Sequence, residues 1–265
     1  MQVIEFINNF FPSSIRAGQT TRLGGVSVGG FESLNLATHV GDSPEAVAEN
    51  RRRLSAHLPS APIWLDQVHG TRVARLETSG REDPFVPPIT ADASFTDQPN
   101  LVAAVLTADC LPVLIARADG GQVAAAHAGW RGLLNGVIES SVQAMLKADP
   151  QGAGQRWLFW LGPAIGQAAF EVGQEVRKAF IAQNPRAAAA FLASASAKPD
   201  KWQASLSVLA HQRIKSLSRA QGGALHDVEI LDSGQCTFSM PEKYFSYRRD
   251  HQTGRMVAFI YRASI

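Results

Sequence analysis

Two short apolar runs, Leu111–Arg117 and 122–127, flank Asp119-Gly120-Gly121, and a turn of that composition between apolar strands leaves little but a tight β-hairpin. With Gly120-Gly121 as a two-residue loop, the numbers of opposite residues sum to 241, so His127 faces Leu114 and Cys110 faces Arg131. Cys110 and His127 then lie toward the open end of one hairpin, about three residues or roughly 10 Å apart along it. A bend at Asp109-Cys110 or at Gly129 is needed before both side chains can reach one point.

The rest of the chain reads as a mixture of strands and helices. Ser43 suits a helix N-cap, with Pro44 in the first helical position and Glu45 and Glu49 at the positive end, in a helix over 44–58. Apolar residues Leu133, Leu134, Val137, Ile138, Val142, Met145 and Leu146 recur at helical spacing over 133–147, and further helices fit 171–182 and 206–220. Strands fit 102–107, 229–231 and 256–261. Turns such as Pro87-Pro88, Gly162-Pro163 and Gly222-Gly223 punctuate the chain without dividing it into differently composed halves. Strict βαβ alternation is missing, which argues for an α/β (α+β) single domain over residues 1–265, with mixed sheets and helices outside.

Composition narrows the function classes. Hydrophobic residues are 45% and charged residues 18% of 265, which suits a compact globular chain and excludes a disordered one. A formal charge of +2 gives no polyanion-binding field, so no nucleic-acid or membrane partner is expected. Arg51-Arg52-Arg53 and Arg248-Arg249 are short enough to be a solvated face or a small anion site. The first residues carry no signal-peptide pattern, and the Ala-rich stretch 187–197 is too short to span a bilayer. Two cysteines, Cys110 and Cys236, are too few for a disulfide framework and point to a reducing cytoplasm. Cys236 reads as structural.

Three residues carry candidate chemistry. Cys110 sits at the mouth of a strand before Leu111-Pro112, His127 ends a strand before Gly129, and His69 ends an apolar run before Gly70. Two imidazoles and a thiolate with one open position form a catalytic zinc arrangement, in which the metal lowers the pKa of a bound water. Three ligands are too few for a closed structural site. A cysteine at a strand end is more commonly a small buried hydrophobe, and spacings of 41 and 17 residues match no compact metal motif. Two alternatives use the same residues: Cys110 as nucleophile with His127 as base in a cysteine hydrolase or amidase, and a non-enzymatic zinc-stabilised binding module. Gly129-Trp130-Arg131-Gly132 opens a helix and could hold an anion with Arg131; Arg22 and Arg248 are further phosphate candidates.

The motifs together carry a resemblance. Thr21-Arg22-Leu23-Gly24-Gly25-Val26-Ser27, Ser33-Leu34-Asn35-Leu36 with His39-Val40-Gly41-Asp42, Gln67-Val68-His69, Thr107-Ala108-Asp109-Cys110-Leu111-Pro112, His127-Ala128-Gly129-Trp130-Arg131-Gly132, Leu161-Gly162-Pro163-Ala164-Ile165 and Phe245-Ser246-Tyr247-Arg248-Arg249-Asp250 resemble the bacterial laccase-domain family, from about residue 20 onward. Its members have been described as multicopper polyphenol oxidases, as zinc-dependent purine nucleoside phosphorylases and as peptidoglycan editing factors.

The resemblance implies a layered αββα domain like the cytotoxic-necrotizing-factor-like cysteine hydrolases, with His69, Cys110 and His127 as both catalytic residues and metal ligands. It implies phosphorolysis of adenosine, inosine, guanosine and methylthioadenosine, deamination of adenosine, and a monomer or weak homo-oligomer acting on small nucleosides and phosphate. Zn2+ is the expected metal, with Cu2+ the alternative. Seven histidines, at 39, 57, 69, 127, 211, 226 and 251, are too few for a blue site plus a trinuclear cluster, and no His or Met closely follows Cys110. Where the family tends to carry an acid before a leucine, this chain has Ala204-Ser205-Leu206, which puts substrate preference in question if that acid reaches the pocket.

Overall fold

The computed structural model describes residues 3–77, 88–194 and 200–264; Pro87 of the Pro87-Pro88 turn and the Ala-rich stretch beyond residue 194 lie outside them. In chain order the elements begin with strands β1 (Ile4–Phe6) and β2 (Ile15–Thr20), helix α1 (Pro44–Ser55), and strands β3 (Leu65–Asp66), β4 (Val73–Arg75), β5 (Ile89–Thr90) and β6 (Ala93–Thr96). Next are β7 (Ala103–Thr107), β8 (Leu111–Arg117), β9 (Val123–Ala128), α2 (Trp130–Asn135), α3 (Val137–Ala148) and β10 (Arg156–Leu161). The remainder comprises β11 (Glu171–Gly173), α4 (Gln174–Gln183), β12 (Phe191–Ala193), β13 (Lys201–Ala204), α5 (Leu206–Leu217), β14 (Asp227–Asp232), α6 (Tyr247–Asp250) and β15 (Met256–Arg262).

Two sheets dominate, one ordered β1-β2-β15-β7 and the other β14-β10-β8-β9-β6-β4. The second is mixed, since β10 runs parallel to β14 and antiparallel to β8. Side-chain parity shows how they stack. Leu114 and Ala116 of β8, and Val123 and Ala125 of β9, pack with Ile15, Val105 and Ile260 of the other sheet. Their neighbours Leu111, Val113 and Ile115, with Ala124 and Ala126, face Val142 and Met145 of α3 and Leu209 and Ile214 of α5. The outer face of the smaller sheet, through Ala104, Leu106, Val257 and Phe259, is covered by Leu54 of α1 with Leu34 and Leu36. The order is therefore helix, sheet, sheet, helix. Burial on both faces is why 111–117 and 123–128 read as continuous apolar runs without alternation.

The hairpin register differs from the sequence expectation. Pro112 lies opposite His127 and Ala116 opposite Val123, so opposite residues sum to 239 and not 241. The loop is four residues, 118–121, closed where Arg117 N donates to Gln122 O at 3.2 Å and Gly120 N to Arg117 O at 3.0 Å. Asp119 is the cause: its carboxylate accepts the Gly121 N–H at 2.8 Å and pairs with the buried Arg117 guanidinium, which fixes a wider turn with Gly120 at φ +74°. Arg117 also pairs with Asp149, tying the turn to the end of α3.

The other elements follow their local signals closely. Ser43 caps α1, its hydroxyl accepting the Ala46 N–H at 3.3 Å, although the helix ends at Ser55 and not 58. The single helix read over 133–147 is two, broken at Gly136 in the left-handed region (φ +94°). Residues 171–173 form a strand before α4, and the last turn read into 206–220 is a separate 3-10 turn after Leu217. Arg52 and Arg53 pair with Glu49 on a solvated helix face, while Arg51 lies over the Trp64 ring, 4.0 Å from its centroid. Among the described residues no helix is long and apolar enough to cross a membrane.

Candidate metal centre

The parity that stacks the sheets also gathers the site. His127 shares the inter-sheet face of β9 with Val123 and Ala125, and Cys110, one residue before β8, continues the face of Leu114 and Ala116. In the register of 239, Cys110 and His127 are diagonal neighbours on one face, within side-chain reach across adjacent strands. The bend sought at Asp109-Cys110 is present, with Asp109 at φ +96°. Its carboxylate is held by Thr237 Oγ1 at 2.6 Å and by the Arg248 N–H at 2.6 Å.

His69 arrives from the loop after β3, itself at φ +61°. A single carboxylate sets that loop. Asp92, fully buried immediately before β6, accepts the N–H groups of Val68, His69 and Gly70 at 3.2, 2.8 and 2.6 Å. The same carboxylate takes His127 Nδ1 at 2.9 Å, and the His127 N–H donates to the Asp92 carbonyl at 2.7 Å. One side chain thus orients two of the three candidate ligands. Burial pushes the Asp92 carboxyl up, but the hydrogen bonds from His127, Gly70 and Val68 outweigh it and hold the group below its ordinary value.

The ligand atoms of His69, Cys110 and His127 lie within 4.8 Å of one another, with Cys110 Sγ 3.9 Å from His69 Nε2. A tetrahedral zinc with Zn–S of about 2.3 Å and Zn–N of about 2.0 Å needs donors about 3.5 Å apart, so the widest pair, at up to 4.8 Å, would draw together by about 1.3 Å to close the set. Two further observations fit a metal here. A carboxylate behind a ligating imidazole is the usual outer support of such sites. A Cβ built on Gly129 would sit 3.0 Å from both Cys110 Sγ and His69 Cδ2, so only glycine leaves the space between the ligands clear. Burial pushes the Cys110 thiol up, yet the adjacent His127 and His69 outweigh it and bring the thiol down, while His127 is raised against its own burial by Cys110 and Asp92. A metal here needs the thiolate already favoured at Cys110 and a neutral His127, so zinc or copper would displace the proton that His127 holds on its ligating nitrogen. Among the described residues this is the one His/Cys/carboxylate group gathered in metal-holding geometry.

The three residues line a cavity of about 550 Å3. Phe170, Tyr247 and Ile165 supply apolar walls, Arg248 and Arg255 supply charge, and His39 adds a polar imidazole. Thr107, which also lines it, is buried, and its hydroxyl has no partner among the described residues.

Of the three arginines read as phosphate candidates, the structure brings only Arg248 to this cavity. Its Nη1 donates to Glu171 O at 3.0 Å, and its guanidinium lies 5.4 Å from the Phe170 ring centroid. Arg22 is committed elsewhere, donating to the Glu32 and Pro241 carbonyls at 2.8 and 2.9 Å over the Phe245 ring. Arg131 stacks on Trp130 at the exposed start of α2 and does not line the cavity. Ser205 caps α5 and lines a smaller separate cavity, so the departure at 204–206 falls outside the metal cavity. Cys236, whose sulfur accepts the Gly166 N–H at 3.1 Å, is a free thiol in that smaller cavity, and Cys110 is also free.

Sequence reasoning missed Asp92, Asp109, His39 and Arg255. Asp92 left one signal, a lone acid inside an Ala-rich run of small residues that becomes a buried strand.

Purine nucleoside phosphorylase YfiH of Escherichia coli is 46% identical over 252 residues, 94% of this chain and 95% of that protein. Purine nucleoside phosphorylase PA4543 of Pseudomonas aeruginosa is 44% identical over 94% of each chain. Among solved structures, Neisseria meningitidis protein NMB0706 superposes with a TM-score of 0.84 at 39% identity, covering 99% of this chain and 100% of that one. YlmD from Geobacillus stearothermophilus gives a TM-score of 0.78 at 28% identity, covering 97% and 94%. The model of the multi-copper polyphenol oxidoreductase laccase family matches residues 16–263, and this chain belongs to that family.

Proposed function

We propose that this protein is a zinc-dependent purine nucleoside phosphorylase that also removes the amino group of adenosine, with His69, Cys110 and His127 as the metal ligands. The observation that carries the reading is an open three-ligand His/Cys/His set, oriented by the buried Asp92, in the lining of a cavity of nucleoside size. Relatives at 42–46% identity bear the name purine nucleoside phosphorylase, which supports the same reading.

Bound zinc would supply a Lewis acid at the open fourth position. The chain's own groups do the rest. Asp92 keeps the proton on His127 Nδ1 and so leaves Nε2 free as a ligand. Phe170 and Tyr247 offer apolar faces to a purine ring, and Thr107 offers a buried hydroxyl to a polar atom of the substrate. Adenosine, inosine, guanosine and methylthioadenosine are the substrates expected, with inorganic phosphate as co-substrate, in a cytoplasmic monomer or weak homo-oligomer.

One observation favours a second reading. Cys110, His127 and Asp92 stand in series, the arrangement of a cysteine nucleophile, its base and the group that orients the base. This supports the likeness to cysteine hydrolases and an amidase role in cell-wall editing. A copper oxidase is supported less well, because the described residues supply one mononuclear set.

The test combines metal analysis with turnover. Wild type and His127→Ala are incubated with adenosine, with and without phosphate, and the products are separated by chromatography. Phosphate-dependent adenine release by zinc-loaded wild type, lost in the variant, is expected. Activity that survives chelation and is abolished by thiol alkylation would transfer the assignment to Cys110 as nucleophile.

A further inference from the structure

The main cavity does not end at Tyr247 and Arg255. A second cavity of about 370 Å3 shares His39, Tyr247 and Arg255 with it and adds His251 and Thr253. No carboxylate lines this annex. Arg255 is half-buried and donates through Nη1 to the Thr253 and Gly254 carbonyls at 2.8 and 3.0 Å, which fixes the guanidinium at the junction of the two spaces. In the main cavity Arg255 feels Cys110 first and Asp109 second, and both Asp109 oxygens are already engaged, by Thr237 and by the Arg248 N–H. Burial, and after it the adjacent Arg255, hold the His39 imidazole below its ordinary value, Asp66 opposing and Arg51 adding to the effect, so His39 stands beside Arg255 as an uncharged imidazole that can donate a hydrogen bond. Thr253 is 1% exposed and its hydroxyl has no partner. A buried hydroxyl left unpaired is costly, so its place beside the fixed Arg255 cation asks for an acceptor.

We infer that this annex is a tetrahedral-oxyanion subsite in which Arg255, the Thr253 hydroxyl and His39 hold inorganic phosphate beside the nucleoside cavity. The choice of phosphate as the anion rests on the phosphorylase reading. The subsite replaces Arg22 and Arg131, which lie away from the cavity, as the place where the second substrate sits. Charge-assisted hydrogen bonds give the affinity, and the cavity's shared wall gives the proximity.

The test uses zinc-loaded protein and inorganic phosphate as the probe, with binding followed by calorimetry and KM for phosphate measured separately. Thr253→Val and Arg255→Gln are expected to weaken phosphate binding at least 10-fold, and Thr253→Ser to restore it to within about 3-fold of wild type. KM for phosphate should follow the binding, while zinc content stays within about 2-fold in both variants and KM for adenosine stays within about 2-fold in Thr253→Val, whose side chain is outside the nucleoside cavity. Phosphate affinity unchanged in both Thr253→Val and Arg255→Gln overturns the subsite, as does a wild type that binds no phosphate. The two readings fail separately. Phosphate binding that needs Thr253 and Arg255, without purine turnover, keeps the subsite and removes the phosphorylase. Phosphate-dependent turnover indifferent to both residues does the reverse.

Discussion

Asp92→Asn is the substitution that isolates the support of the metal centre from its ligands. The wild-type carboxylate is fully buried and accepts four hydrogen bonds, two at Oδ1 from His69 N and His127 Nδ1, and two at Oδ2 from Gly70 N and Val68 N. Asparagine replaces one oxygen with a donor, so in either orientation two N–H groups face an N–H. If the amide nitrogen faces His127, Nδ1 must become the acceptor, the proton moves to Nε2, and the ligand atom is lost. If it faces Gly70 and Val68, the loop that delivers His69 loses its anchor. Two unpaired donors at about 1–3 kcal/mol each give a loss of about 2–6 kcal/mol in stability, or on the order of 10 °C in Tm for a chain of this size. Loss of this kind of support typically weakens metal binding about 10- to 100-fold, or about 1.4–2.7 kcal/mol. Zinc affinity is measured by competition with a chromogenic chelator, and thermal melts are recorded with and without zinc. At a fixed zinc concentration the zinc-dependent rise in Tm should shrink in the variant, because mass action transmits the weaker affinity to stability. A folded Asp92→Asn protein with wild-type zinc affinity would refute the claim that this carboxylate orients His127 and His69.

Further outcomes follow from the same geometry. Gly129→Ala, whose Cβ would lie 3.0 Å from Cys110 Sγ and His69 Cδ2, should reduce zinc content severely with all three ligands intact, as metal analysis of the purified variant will show. In metal-free protein the Cys110 thiol is brought down to about 6 from an ordinary 9.0, so its alkylation should accelerate as pH rises through about 6; peptide mapping at each pH resolves it from Cys236, and added zinc should protect it. A midpoint near 9 would remove the thiolate from the argument. The Asp92 carboxyl is held below its ordinary 3.8, so its contribution to stability is complete above that pH and is lost as pH falls through the lowered value. Acid-unfolding curves of wild type and Asp92→Asn should therefore converge below pH 3.8. Thr107→Val should raise KM for the nucleoside several-fold with zinc content unchanged, since it removes an unpaired buried hydroxyl from the cavity lining.

How legible each part was depended on the range over which its cause acts. Apolar runs and turn residues placed most strands and helices, because burial on two sheet faces and local capping are written into short stretches such as 111–117 and Ser43-Pro44. The hairpin register was misjudged by two because Asp119 anchors the turn through Arg117, a side-chain pairing that turn composition does not disclose. Gly136 was likewise passed over as an interior helix glycine when it ends α2.

The sequence by itself determined the residue types of the centre and the alternation that sends Cys110 and His127 to the same sheet face, since strand parity is a local property. The tertiary structure decided everything that depends on distant segments meeting. Only folding brings His69 across from another strand, seats Asp92 behind both histidines, turns Arg22 and Arg131 away, and sets Arg255 and Thr253 beside the cavity. Those positions follow from sheet stacking and buried hydrogen bonds between residues far apart in the chain, and no short window of sequence contains both partners.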